Sequence, residues 1–97
     1  MAQINWTTEA QRWLDDIFEY IAADNPRAAA ETLQAIYDAA EAIQDFPEIG
    51  YRYWASSRHV RILLSGHYRI TYLVKDGGDV DILGVFHGAL DISRCQL

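Results

Sequence analysis

The hydrophobic pattern of this chain changes its period once, at Gly50, and that change limits the fold more than any other feature. From Ala10 to Ile43 apolar residues recur every three or four positions, whereas after Gly50 they alternate or gather into β-branched runs. A chain that is helical first and strand-like afterwards folds as α+β, with its helices laid on one face of an antiparallel sheet. At 97 residues there is room for one core, so residues 1–97 are expected to form a single domain.

Gln3-Ile4-Asn5-Trp6 alternates polar and apolar and reads as a short opening strand. Thr8, with Gln11 three residues on, has the pattern of a capping box that would start the first helix. Ala10, Trp13, Leu14, Ile17, Tyr20 and Ile21 then share one helical face. Asn25-Pro26 starts a second helix, with Asn as cap and Pro at the first helical position. Ala29, Leu33, Ile36, Ala40 and Ile43 form its apolar stripe, and a row of small residues (Ala28, Thr32, Ala35, Ala39, Ala42) would admit the first helix as an αα-hairpin. Pro47 cannot continue the helix. Three β-rich runs follow, 59–64, 68–74 and 80–86, separated by Ser65-Gly66 and Asp76-Gly77-Gly78-Asp79. The expected order is β-α-α-β-β-β, an N-terminal strand, a helical hairpin and a three-stranded antiparallel meander. In the middle run, Tyr68, Ile70, Tyr72 and Val74 share one face.

The formal net charge is −6 and is unevenly spread. Residues 1–48 carry ten acids against two bases, and residues 49–97 four acids against six bases. An acidic chain lacks the concentrated positive field that phosphate backbones require, so no direct nucleic-acid binding is expected of it alone. No apolar run is long enough to span a membrane and no signal-peptide pattern opens the chain, so the expected location is the cytoplasm. Cys95 is the only cysteine and is assigned no role. No phosphate loop, nucleophile elbow or cluster with metal-ligand spacing is present; no catalytic residue, metal or cofactor is therefore expected. The grouped carboxylates Asp15, Asp16 and Glu19 lie away from the apolar stripe and read as a solvated helix face.

The basic half supplies the candidate binding residues. Arg58, Arg61 and Arg69 fall within twelve positions on two strands expected to pair, and guanidinium groups grip oxyanions through a planar fork of donors. Pairing with Asp81 or with the acidic helices is the structural alternative. On this reading Arg69 braces the sheet by pairing with an acid across a strand, and Arg61 faces a target. His87 ends the last run, Arg94 lies near the C-terminus, and Trp54 sits in the aromatic-basic segment Tyr51-Arg52-Tyr53-Trp54, whose composition suits an interface anchor.

Taken in order along the chain, Ile4-Asn5-Trp6-Thr7, Leu14-Asp15-Asp16-Ile17, Tyr20-Ile21, Asn25-Pro26, Phe46-Pro47-Glu48-Ile49-Gly50, Val60-Arg61, Tyr68-Arg69-Ile70-Thr71-Tyr72 and Val85-Phe86-His87-Gly88 resemble the RelE/ParE superfamily of bacterial type II toxin–antitoxin toxins, and within it the ParE branch. The resemblance implies a helical hairpin on a small antiparallel sheet. It also implies a cognate ParD-like antitoxin of ribbon-helix-helix type and a toxic action on DNA gyrase by protein–protein binding. The alternatives it carries are a RelE-like ribosome-dependent mRNA endonuclease and an attenuated relative that only binds an antitoxin. Ribonuclease members use closely spaced lysines on the strand matching Val60–Leu63 and an Arg in a Tyr-Arg pair. Here Arg69 matches the pair, while Val60 and Ile62 stand at the lysine positions. In the family's closing His-Gly-x-Arg-Asp pattern this chain has Leu90 where Arg is usual. The small-residue flank of the second helix, the Tyr51–Trp54 segment and the sheet edges are the surfaces on which an antitoxin is expected, with the acidic stripe Glu31, Asp38, Glu41 and Asp45 meeting a basic arm.

Overall fold

The computed structural model describes residues 3–88. Arg94, Leu90 and Cys95 lie outside the described residues. The elements are β1 (Ile4–Trp6), α1 (Thr8–Ala22), α2 (Pro26–Asp45), β2 (Tyr51–Arg52), β3 (Val60–Ser65), β4 (Tyr68–Val74) and β5 (Val80–His87), in a sheet of order β1-β5-β4-β3-β2.

Both helix starts are set by side-chain caps, which satisfy N–H groups that the first turn leaves free. Asn25 caps α2 by accepting from the Ala28 N–H at 3.1 Å. At α1 the cap is Thr7, one residue before the expected Thr8: its Oγ1 accepts from the Ala10 N–H at 3.1 Å and donates to the Ile82 carbonyl at 2.7 Å. Thr7 prevails because its hydroxyl meets both the helix and β5, tying the end of β1 to the strand beside it. β1 and β5 run parallel, Ile4 to Trp6 alongside Val80 to Ile82, and the other pairs are antiparallel.

The sheet has one strand more than the expected meander. Tyr51 and Arg52 pair with Ile62 and Arg61, so the head of the aromatic-basic segment is an outer strand and not loop. β5 carries a bulge: Thr71 faces Gly84 and Tyr72 faces Ile82, leaving Leu83 unmatched. One extra residue restores Val85 to the face already occupied by Val80 and Ile82. That face joins Ile70 and Tyr72 to Ala10, Leu14, Ile17, Ile36 and Ile43 in the main core, as the period switch predicts.

The opposite face has a small core of its own, built from Ile62 and Phe86 with Tyr53 and Trp13 against them. The Trp13 and Phe86 rings meet edge to face at 4.7 Å. Phe86 lies over Gly84, where a Cβ would come within 2.7 Å of the ring. Thr71 is fully buried on this face and its hydroxyl has no hydrogen-bond partner.

Candidate functional site

Two short outer strands leave the sheet wider at one end than the other. β2 covers only Arg61–Ile62 of β3, and β1 covers only Val80–Ile82 of β5. Among the described residues, those approaching the β3–β4 turn, Leu63–Ser65 and Leu83–His87, therefore have no neighbouring strand on their outer side. Open strand edges of this kind accept an added chain. Beside the β5 edge lies a mainly apolar groove of about 360 Å³, bounded by Trp13, Ile17 and Tyr20 of α1 and by Tyr68, Val85 and His87 of the sheet, with Asp16 at its rim. Tyr20, expected on the buried stripe, is 84% exposed there.

The predicted binding residues divide between the two ends of the sheet. Near β2, Trp54 is 80% exposed and carries the Arg52 guanidinium 4.8 Å from its ring centre, a cation–π contact. Arg61 stands directly across from Arg52. Its Nη1 donates to the Gly50 carbonyl at 2.6 Å and the Glu48 carbonyl at 3.1 Å, and its Nε donates to His59 Nε2 at 3.1 Å. Arg58 is exposed on the loop before β3.

At the other end, His87 meets Tyr68 edge to face at 5.5 Å and stacks near His67 at 6.3 Å. Arg69 lies one position on from Tyr68, turned to the other face between its cross-strand neighbours Leu64 and Phe86. It forms no ion pair or hydrogen bond among the described residues. The cross-strand acid expected to hold it is absent because Asp81, the nearest acid of β5, pairs with Lys75 at 3.3 Å and accepts from Asn5 at 3.2 Å. The two arginines thus exchange their expected parts: Arg61 holds the chain together, and Arg69 is uncommitted.

What Arg61 holds is the turn after α2. Tyr72, its neighbour across β3–β4, accepts from the Gly50 N–H at 2.9 Å and donates to the Pro47 carbonyl at 2.7 Å. Burial pushes the Tyr72 hydroxyl's pKa up, against the lowering influence of its bond from Gly50 and of Arg61, which keeps it a neutral donor. Gly50 is required by space: a Cβ there would lie 2.7 Å from both the Ile62 carbonyl oxygen and the Tyr72 hydroxyl.

Arg52 and His59 were not among the predicted site residues. The alternation Tyr51-Arg52-Tyr53 was a usable strand signal, but two residues fall below what a periodicity window resolves. No group of three or more His, Cys, Asp or Glu able to hold a metal occurs among the described residues, and no helix there is long and apolar enough to cross a membrane.

Residues 4–92 match the family model described as ParE toxin of type II toxin-antitoxin system, parDE. The chain is 36% identical over 85 residues to a Sinorhizobium fredii protein described as "Putative toxin Y4kP", covering 88% of this chain and 86% of that one. Its fold is similar to that of a chain from the chromosomal ParDE toxin–antitoxin system of P. aeruginosa, at TM-score 0.74 and 24% identity over 90% of this chain and 96% of that one. It is also similar to a chain of the toxin–antitoxin complex RelBE2 from Mycobacterium tuberculosis, at TM-score 0.64 and 24% identity over 89% and 96%. A family match running from β1 past the end of β5, and a relative 36% identical over most of both chains, place this chain in the ParE toxin family of type II toxin–antitoxin systems.

Proposed function

We propose that this toxin inhibits DNA gyrase by protein–protein contact and is neutralised by a cognate antitoxin that covers part of the same surface. The observation that carries the reading is the state of Val60 and Ile62, which stand where ribonuclease relatives are expected to carry lysines. Both are apolar and at most 1% exposed. Cutting RNA without a metal needs groups that remove a proton from the 2′-hydroxyl, stabilise the phosphate charge and protonate the leaving oxygen. On that face Ile62, Thr71, Gly84 and Phe86 form a packed surface instead, and the Arg69 guanidinium can stabilise charge but is a poor base.

A gyrase inhibitor needs only a complementary surface. That end of the sheet offers one: exposed Leu64 and half-buried Arg69 on one face, and Tyr20 and His87 along the groove on the other. The same groove, and the β5 edge that no other described strand covers, suit an antitoxin segment docked or added as a strand. In purified form the protein is expected to block gyrase supercoiling, or to trap cleaved DNA, while leaving cell-free translation intact. Ribosome-dependent mRNA cleavage with gyrase unaffected would replace this reading with the endonuclease, and inactivity in both assays would leave an antitoxin-binding relative.

A further inference from the structure

The basic cluster at the β2 edge has a charge imbalance that the fold itself does not relieve. Arg52 and Arg61 face one another across β2 and β3, and like charges in that position repel. His59 lies beside both. Arg61 spends its Nε and Nη1 on His59 and on two carbonyls. Arg52 makes no ion pair or hydrogen bond among the described residues, and its Nε is enclosed without a partner. An enclosed, unpartnered guanidinium N–H is costly, because its donor has left water for nothing. The Arg52 head group is nonetheless held in place, on the face of Trp54 at 4.8 Å.

We propose that Arg52, His59 and Arg61 form a binding site for a carboxylate, borne by an acidic residue on an extended segment of a protein partner. The carboxylate accepts from Arg52 and from the N–H groups that Arg61 and His59 have left over, offsetting the repulsion between the two arginines. Two features favour a peptide over a polyphosphate. β2 is the outermost strand, so an extended segment can lie along it, with exposed Tyr51 and Trp54 as flanking contacts. Glu48 also acts on His59, so a run of phosphates would meet a carboxylate beside the cluster, whereas a single carboxylate fits among the cations.

Occupancy is coupled to protons. The bond from Arg61 requires His59 Nε2 to carry a lone pair, so the empty site holds neutral imidazole with its proton on Nδ1. Burial, Arg52 on β2 and Arg61 on β3 lower the His59 pKa, and Glu48 on the preceding turn opposes them. An arriving carboxylate adds to the opposing side, so binding takes up a proton at His59 Nε2, which releases Arg61 Nε–H to the carboxylate, and strengthens as pH falls from about 7.5 to 5.5.

The test follows the Arg52 Nε–H and His59 ring resonances of the full chain by NMR. It compares a blocked Thr-Val-Glu-Val-Thr peptide, its Gln counterpart, and inorganic phosphate at matched ionic strength. The Glu peptide is expected to bind about tenfold more tightly than the Gln peptide, the scale of one charge-assisted bond. It should also move the His59 titration midpoint upward. Arg52→Gln should cut the preference for the Glu peptide severalfold without lowering the melting temperature, Arg27→Gln should preserve the ratio, and His59→Asn should remove the pH dependence. Equal binding of the two peptides, binding of neither, or phosphate outcompeting the Glu peptide would overturn the assignment. The site does not depend on which target the toxin attacks, so its failure leaves the supercoiling and translation assays untouched.

Discussion

Arg61 and Arg69 sit on neighbouring strands, both flanked by apolar residues, and in sequence they look alike. At the foot of α2, Arg61 and Tyr72 bring five hydrogen bonds to His59 and the Pro47–Gly50 turn, and Gly50 leaves no space for even a methyl group. Three residues back along β4, Arg69 has none among the described residues, and it lies beside exposed Leu64. Arg61 and Tyr72 commit these bonds to joining a helical layer to a sheet, whereas Arg69 has committed none. The difference teaches where to look for a binding surface on a small toxin: at residues whose polar groups the fold has not used.

The sharpest break of this comparison is Gly50→Ala. A Cβ placed 2.7 Å from the Ile62 oxygen and the Tyr72 hydroxyl forces the turn away and strains the bonds that hold it. We expect a loss of about 3 kcal/mol in denaturant unfolding, combining overpacking with disrupted hydrogen bonds. Tyr72→Phe, which leaves the Gly50 N–H and Pro47 carbonyl unpartnered, should lose about 1 to 3 kcal/mol. Losses below half a kcal/mol for both would mean the turn is not a structural joint.

The two arginines come next. Arg61→Ala is expected to destabilise by about 2 kcal/mol, since the lost bonds include charged donors to carbonyls. Arg69→Ala should stay within about 0.5 kcal/mol, as for a surface site, while lowering toxicity in cells. Arg61→Lys should recover little, because one ammonium group cannot span His59 and two carbonyls at once. Equal melting temperatures for the two alanine variants would erase the distinction between the regions.

Most of the fold was legible in the sequence because it rests on long patterns. Five of the main-core residues, Ala10, Leu14, Ile17, Ile36 and Ile43, lie on helical stripes whose period is plain over many residues, and the Asn25-Pro26 and Pro47 boundaries follow from backbone constraints. The elements that escaped are short or set from a distance. β2 has two residues, the Leu83 bulge has one, and Thr7 outranks Thr8 only because Ile82, 75 residues away, accepts its hydroxyl. The candidate site was less legible for the same reason. Nothing local distinguishes Arg61 from Arg69; the carbonyls that claim Arg61 belong to a turn eleven to thirteen residues earlier.

Thr71 offers a smaller effect of opposite sign. It is fully buried between Ile62 and Gly84 with its hydroxyl unpartnered, so near-isosteric Thr71→Val should raise stability by about 1 kcal/mol. If that far face is only a packed layer, supercoiling inhibition will be unchanged by the substitution. A loss of inhibition at higher stability would instead give the hydroxyl a part in target contact, and would move the functional boundary from Arg69 toward the middle of the sheet.

The smallest effect is the pH dependence of the joint itself. Burial, then Arg52 and Arg61, hold the His59 pKa below its ordinary 6.5, with Glu48 opposing. A histidine with a lowered folded pKa contributes stability that is complete above the unfolded value. Below about 6.5 the unfolded chain takes up a proton that the native imidazole refuses, so stability falls with pH until the folded pKa is passed, and levels off beneath it. Protonation there also removes the lone pair that accepts from Arg61 Nε, loosening the side chain that holds Glu48 and Gly50. Denaturant midpoints between about pH 7.5 and 5 should therefore decline for the native chain, and decline less for His59→Asn. Arg69→Ala should keep the native slope, because it lies outside the joint. A slope identical in native and His59→Asn chains would detach His59 from the clamp and leave Arg61 held by the two carbonyls alone.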